Sequence, residues 1–177
     1  MRGFIIYPTY KVINNESYIY LYGRLEIGQS FLKINRYKPY FFIKTSDLIK
    51  ARKLSSFEAE KTMLINFAKQ SATKIILDSP SEVPKLRDLF QEHEIECYEA
   101  DIRFEYRYLI DKKIQGAVAI EGEYESEETM DRVYKEPALS TSEYKPDNLK
   151  IVSLDIETSI DGKKLYCLSL YAPHYKK

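Results

Sequence analysis

Hydrophobic and polar residues alternate over several short stretches of this chain, and turn-forming residues bound each stretch. Gly3 to Val12, Ser17 to Leu25 and Phe31 to Asn35 are rich in Ile, Tyr, Phe and Leu, with Asn14-Asn15-Glu16 and Gly28-Gln29 between them. Such runs and breaks read as strands joined by tight turns, so the pattern predicts an antiparallel β meander at the start. Pro39 to Lys44 is a short, strongly apolar strand. Thr45-Ser46-Asp47 then offers N-cap chemistry for a helix over Leu48 to Leu54, with Leu48, Ile49 and Leu54 turned inward.

Phe57 to Gln70 fits two periods. Its good helix formers suit a helix, while Met63, Ile65 and Phe67 alternate as in a strand. Lys74 to Asp78 reads as a strand. Ser79-Pro80-Ser81, with Glu82 close behind, opens a helix whose Val83, Leu86, Leu89 and Phe90 share one face. Ile95 to Glu99 is the next strand, and Arg103 to Asp111 a short helix with Phe104, Tyr108 and Leu109 inside. With 57–70 as a strand, residues 39–99 read β-α-β-β-α-β. That is the ferredoxin-like order, in which helices cover one face of an antiparallel sheet. The order hosts many functions and names none.

Gly116 to Glu123 begins as a strand, and Glu121 to Asp131 is acidic enough to be a solvated loop or an exposed edge. Pro137 to Asn148, rich in Pro, Ser, Thr and Asp, reads as a linker, with a domain boundary near residue 145. Beyond it Val152, Leu154 and Ile156 alternate with Ser153, Asp155 and Glu157. In a strand the two carboxylates share a face, roughly 7 Å apart along the chain. Hard divalent cations take oxygen ligands. A pair of them can activate water and stabilise the leaving oxygen of a phosphodiester. The plainer reading is an amphipathic strand that shows its acids to water, since a three-residue pattern specifies little. Ser159-Ile160-Asp161-Gly162 is a turn, and Lys164 to Ala172 returns as a second strand. Two strands with one apolar face do not make an independent domain. The chain is therefore expected to stop inside one.

Composition adds little. Lys plus Arg (27) equals Asp plus Glu (27), so net charge does not favour a polyanionic partner. Tyrosine is abundant (16) and tryptophan absent. Most tyrosines are expected in the core and rim with a wet hydroxyl, a few being available to stack on bases. Cys97 and Cys167 belong to no C-x-x-C pair, which argues against a zinc site or a disulfide framework. His93 and His174 are isolated and expected at the surface. No signal peptide opens the chain, and no run nears the ~20 apolar residues of a membrane span. A cytoplasmic location follows by default.

Longer strings carry a resemblance. Ser153-Leu154-Asp155-Ile156-Glu157-Thr158 resembles the first exonuclease motif of family B DNA polymerases. Tyr98 to Arg103 and Arg107 to Asp111 resemble the segment before it, Pro39-Tyr40-Phe41 an earlier strand, and Glu99 to Arg103 and Leu165-Tyr166-Cys167 DNA polymerase II in particular. The resemblance implies an amino-terminal fragment ending just after that motif. Residues 1–145 would be the N-terminal domain, and 146–177 the first β-hairpin of a truncated ribonuclease-H-like 3′→5′ exonuclease. The expected fold is α+β: the meander, the ferredoxin-like unit, then that hairpin. The family also favours a strand over 57–70. It implies that Asp155 bridges two Mg²⁺ (or Mn²⁺) ions and that Glu157 holds one and positions the attacking water. The other exonuclease ligands and the polymerising aspartates are absent from this chain. It is therefore expected to neither polymerise nor proofread alone. DNA template and primer 3′ end, dNTPs and a sliding clamp are the implied partners, with nucleoid association and no membrane.

Archaeal members of the family read template uracil in the N-terminal domain. The resemblance carries that pocket to Tyr7, Pro39, Tyr40, Ala72, Ile102, Arg103 and Phe104. Arg103 stands where the family has proline and Ala72 where it has valine, and a bulky cation is expected to obstruct a snug base pocket. Lys33, Arg36, Lys38, Arg103 and Arg107 are candidate phosphate contacts, or plain surface charges. The competing readings are a non-catalytic ferredoxin-like nucleic-acid-binding module, without the aromatic motif of an RNA-recognition domain, and an interaction domain whose acidic strand is only solvated.

Overall fold

The structure is a computed structural model that describes residues 1–146 and 149–173. The chain divides into two compact units, Met1–Lys145 and Pro146–Lys177. His174 and the end of the Pro137–Asn148 stretch lie outside the described residues.

The first unit opens with β1 (Arg2–Ile13), β2 (Glu16–Leu25) and β3 (Ser30–Arg36), paired antiparallel in sequence. Asn14 and Asn15 both take positive φ (50° and 63°). Two such residues in a row give the hairpin a twist that matches its strands. After β4 (Tyr40–Lys44) comes a single 3-10 turn, Thr45–Asp47, and then α1 (Leu48–Leu54), β5 (Glu58–Ile65), β6 (Ser71–Ile76), α2 (Glu82–Glu92) and β7 (Cys97–Tyr98). Phe57 to Gln70 is thus mainly strand. The sheet order is β5-β6-β4-β7, with every pairing antiparallel.

α3 (Phe104–Asp111), β8 (Ala117–Glu121), β9 (Glu125–Glu127), β10 (Met130–Lys135) and β11 (Ala138–Thr141) complete the unit. β8 to β11 join the meander in a seven-stranded sheet, β11-β8-β1-β2-β3-β10-β9. The acidic stretch carries β9, an exposed edge strand as expected, while the linker expectation fails in part. A third of the proposed linker is β11, paired with β8 over Ala138 to Thr141. Met130–Lys135 is a strand that pairs parallel with β3, anchored where Asp131 Oδ2 accepts from Ser30 N at 2.7 Å and Val133 is 1% exposed.

Two cores form. Ile5, Ile19, Leu21, Leu25 and Phe31 on one face of the large sheet pack against Phe104 and Tyr108 of α3. Phe41, Ile43 and Ile75 of the small sheet pack against Ala51 of α1 and Leu86 and Phe90 of α2. Burying each of the last two side chains contributes roughly 1.5–3 kcal/mol. In α1 Ala51 is buried and Leu48 and Leu54 pack beside it as expected, whereas Ile49 is 74% exposed, contrary to expectation. The helix is barely two turns long, so the sheet beneath selects its buried face. At the start of α2 Glu82 Oε2 accepts from Ser79 N (2.8 Å), while the residues directly before the two helices do not cap them. Asp47 and Ser81 make no side-chain cap bond, and Thr45 Oγ1 shares a hydrogen with Thr73 Oγ1 instead (2.9 Å).

The second unit is a hairpin, β12 (Ser153–Thr158) against β13 (Leu165–Tyr171), turned at Gly162 with φ +68°. Among the described residues no helix is long and apolar enough to cross a membrane.

Candidate functional site

β12 places the two acids. Its register with β13 runs unbroken from Ser153↔Tyr171 to Glu157↔Cys167 and shifts only between Glu157 and Thr158. Asp155 opposite Ser169 and Glu157 opposite Cys167 therefore share one face, and Leu154↔Leu170 and Ile156↔Leu168 form an apolar ladder on the other. Both carboxylates are exposed. So is the apolar ladder, its four side chains 52–65% open. Two hard oxygen donors side by side suit a divalent cation, but two are not a cage. Among the described residues no group of three or more His, Cys, Asp or Glu side chains is placed to hold a metal ion.

The first unit has a cleft of about 330 Å³ where β4, α2 and α3 meet. Pro39, Tyr40, Ile102, Arg103 and Phe104 line it together. Tyr7 and Ala72 do not. The bulge between Ile5 and Tyr7 adds one residue to β1. It turns Tyr7 onto the far face, where its ring meets Tyr22 (6.3 Å). Tyr10 lines the cleft and meets Phe104 edge-on at 5.4 Å. Ala72 is 7% exposed inside β6, and the aliphatic wall comes from Val83 of α2. Val83 sits in Pro80-Ser81-Glu82-Val83-Pro84, where prolines flank a helix start. That run is the signal by which the wall is legible in the sequence.

Arg103 does not fill the cleft. Its side chain is 73% exposed, with Nε 3.1 Å from Glu105 Oε1 and the guanidinium 5.5 Å over the Tyr106 ring. Arg107, 5% exposed, is the cation built into the wall. It lies 4.9 Å over Tyr40 and 2.6 Å from Glu99. Asp111 accepts from the hydroxyls of both Tyr37 and Tyr40. Burial, and then the bond to Asp111, push the Tyr40 phenol up to about 12, so the ring stays neutral and its hydroxyl stays a donor. The other candidate phosphate contacts are largely committed. Arg36 pairs with Glu16 (2.6 Å) and Lys38 with Glu58 (3.0 Å) and Asp78 (3.2 Å). Lys33 is fully buried, so it reaches no phosphate.

Comparison with known proteins completes the picture. No protein-family model matches the chain. A DNA polymerase of Methanocaldococcus jannaschii is 35% identical over 62% of this chain, and one of Archaeoglobus fulgidus is 31% identical over 70% of it. The family B DNA polymerase of Pyrobaculum calidifontis superposes on 99% of the chain with a TM-score of 0.74 at 22% identity. The chain is similar to part of a family B DNA polymerase. It spans only a fraction of these proteins: 8% and 17% of the two curated relatives, and 26% of the structural neighbour. The polymerase structure shares the mixed α+β fold, mostly strands with few helices.

Proposed function

We propose that this chain serves a DNA-directed DNA polymerase, residues 1–145 as its N-terminal domain and 146–177 as the opening hairpin of a 3′→5′ proofreading exonuclease. The observation that carries this reading is the shared open face of Asp155 and Glu157, backed by an apolar ladder that has to be covered before the acids can be held rigid. Asp155 and Glu157 are the residues that would hold Mg²⁺ or Mn²⁺. When bound, such ions polarise phosphoryl oxygens and make water a nucleophile near neutral pH. The chain's own part is to set the spacing of two carboxylates through the β12–β13 ladder.

Two tests follow. With Mg²⁺ and a 3′-labelled primer the purified chain should release no nucleotide, and release by the chain alone would overturn the fragment reading. In a complete polymerase bearing this sequence, Asp155→Asn or Glu157→Gln should slow removal of a mismatched 3′ end by about 10²–10³-fold, the several kcal/mol that a metal-held charge supplies. Extension of a matched primer should not change.

A second reading concerns the cleft. Five of the seven pocket positions implied by the polymerase resemblance line one cavity, beside a buried cation and a neutral tyrosine ring. We infer that it takes an unpaired template base. Tyr40→Ala should weaken binding of single-stranded DNA. Equal affinity for uracil- and thymine-containing strands would exclude uracil reading. Binding without a salt slope would favour the interaction-domain alternative.

A further inference from the structure

The β5–β6 hairpin ends in a knuckle of apolar side chains with nothing over it. Met63 and Phe67 are fully exposed (101% and 110%), and Leu64 and Ile65 more than half so. The knuckle is not loose. Asn66 N donates to Gln70 O (2.9 Å) and Gln70 N donates to Asn66 Oδ1 (2.9 Å). Asn66 Nδ2 donates to the hydroxyl of Tyr98 on β7 (3.0 Å). β5 is an edge strand, and edge strands ordinarily carry charge against unwanted pairing. β5 does so over Glu58 to Lys61 but not over Thr62 to Ile65. Large apolar side chains held in water by a rigid frame mark a recognition surface.

Charge selects the occupant. Lys61 and Lys69 stand on either side of the knuckle and have no ion-pair partner among the described residues. The carboxylates around them are already matched, Glu58 by Lys38 (3.0 Å), Glu60 by Lys74 (3.4 Å) and Glu96 by Lys44 (3.0 Å). The unspent charge at the tip is positive. Phe, Met, Leu and Ile are the side chains that proteins wedge against base steps. An aromatic ring stacks on bases of any sequence, and lysines beside it meet phosphates. We propose that the β5–β6 tip contacts single-stranded DNA, with Phe67 stacked on an unpaired base and Lys61 and Lys69 on phosphates. This rests on reading the chain as part of a DNA polymerase, but uses neither the cleft nor the acidic hairpin.

The chain has no tryptophan, so Phe67→Trp places one fluorophore at the tip. A fluorescein-labelled 12-residue oligothymidylate is the probe. Tryptophan emission should quench saturably on binding. Phe67→Ala should bind about 5- to 150-fold more weakly, the 1–3 kcal/mol of one stacked base, while Phe67→Tyr keeps the affinity. Lys61→Gln with Lys69→Gln should flatten the log–log salt slope by about 1.4, or 0.7 per phosphate. Phe67 is open to water, so none of these changes should alter thermal stability, which is read alongside. Binding with unchanged tryptophan emission overturns the tip as the site and leaves the polymerase reading intact, since that stands on the nuclease assay. No binding by the chain overturns the proposal too, as does a dimer in sedimentation that Phe67→Ala dissolves.

Discussion

At the scale of single residues, Lys33 is the costliest choice in the first unit. It is fully buried on β3, between Leu21 of β2 and Tyr134 of β10. Its ammonium lies 4.2 Å over the Tyr108 ring and bonds to that hydroxyl, and no carboxylate among the described residues forms an ion pair with it. Burial pushes its pKa from 10.5 down to about 7. Between those values the unfolded chain holds a proton that the folded one does not, so stability rises with pH across that window. The penalty is complete below pH 7 and amounts to on the order of 5 kcal/mol. Tyrosines act oppositely. Burial raises Tyr37, Tyr40 and Tyr108 above the ordinary value of 10.0, so above that pH the unfolded state loses its protons first and stability falls. Urea midpoints should therefore climb from pH 7 to about 10 and then drop. Lys33→Met should raise the midpoint at pH 7, abolish the climb and keep the drop. A midpoint of the variant that still climbs would mean that Lys33 finds water or a partner when folded.

At the scale of elements, β2 shows how a close approach dictates a residue. A Cβ on Gly23 would lie 2.2 Å from the Phe4 carbonyl and 2.5 Å from the Phe31 ring. Gly28 has φ +83° and nothing within 4 Å. Gly23→Ala should cost about 1–3 kcal/mol or more through overpacking. Gly28→Ala should cost only the ~1–2 kcal/mol of a left-handed backbone. Equal losses in thermal melts would remove crowding as the reason for Gly23. The same element explains why sequence reading succeeds and fails where it does. The meander, its Asn14-Asn15 turn and the alternation at Ser153 to Glu157 are local, and period alone shows them. The bulge after Ile5 leaves no mark in the hydrophobic pattern, yet it exchanges Tyr7 for Tyr10 in the cleft. β10 is half polar, without clean alternation, and gains its place from a partner about a hundred residues away, as the Asp131–Ser30 bonds show. Arg107 reads as a surface charge until Tyr40, distant in sequence, closes over it beside Glu99.

At the scale of the whole molecule, the two units differ in what can hold them together. The first buries Ile19, Leu21, Phe31, Phe41, Ile43 and Ile75 at 0% exposure. The second buries no residue of either strand, and its apolar ladder faces water. A two-stranded hairpin without a covered face is marginal at best, and local opening follows contact density. Backbone amides of Ser153–Thr158 and Leu165–Tyr171 should therefore exchange with deuterium nearly as fast as an unstructured chain, while those of Ile19, Leu21 and Phe31 exchange slowest. The difference bears on the proposed metal-holding role, because metal affinity needs ligands held within fractions of an ångström, and Asp155 and Glu157 ride on the unit that buries no strand residue. Calorimetric titration of the chain with Mn²⁺ should show no saturable site, and Asp155→Asn should leave the trace unchanged. Leu154→Ser should not lower the melting temperature of the first unit. Slow exchange in the hairpin, matching that of Ile19, would show that the unit carries its own stability. The case for an acid pair awaiting further structure would then be lost.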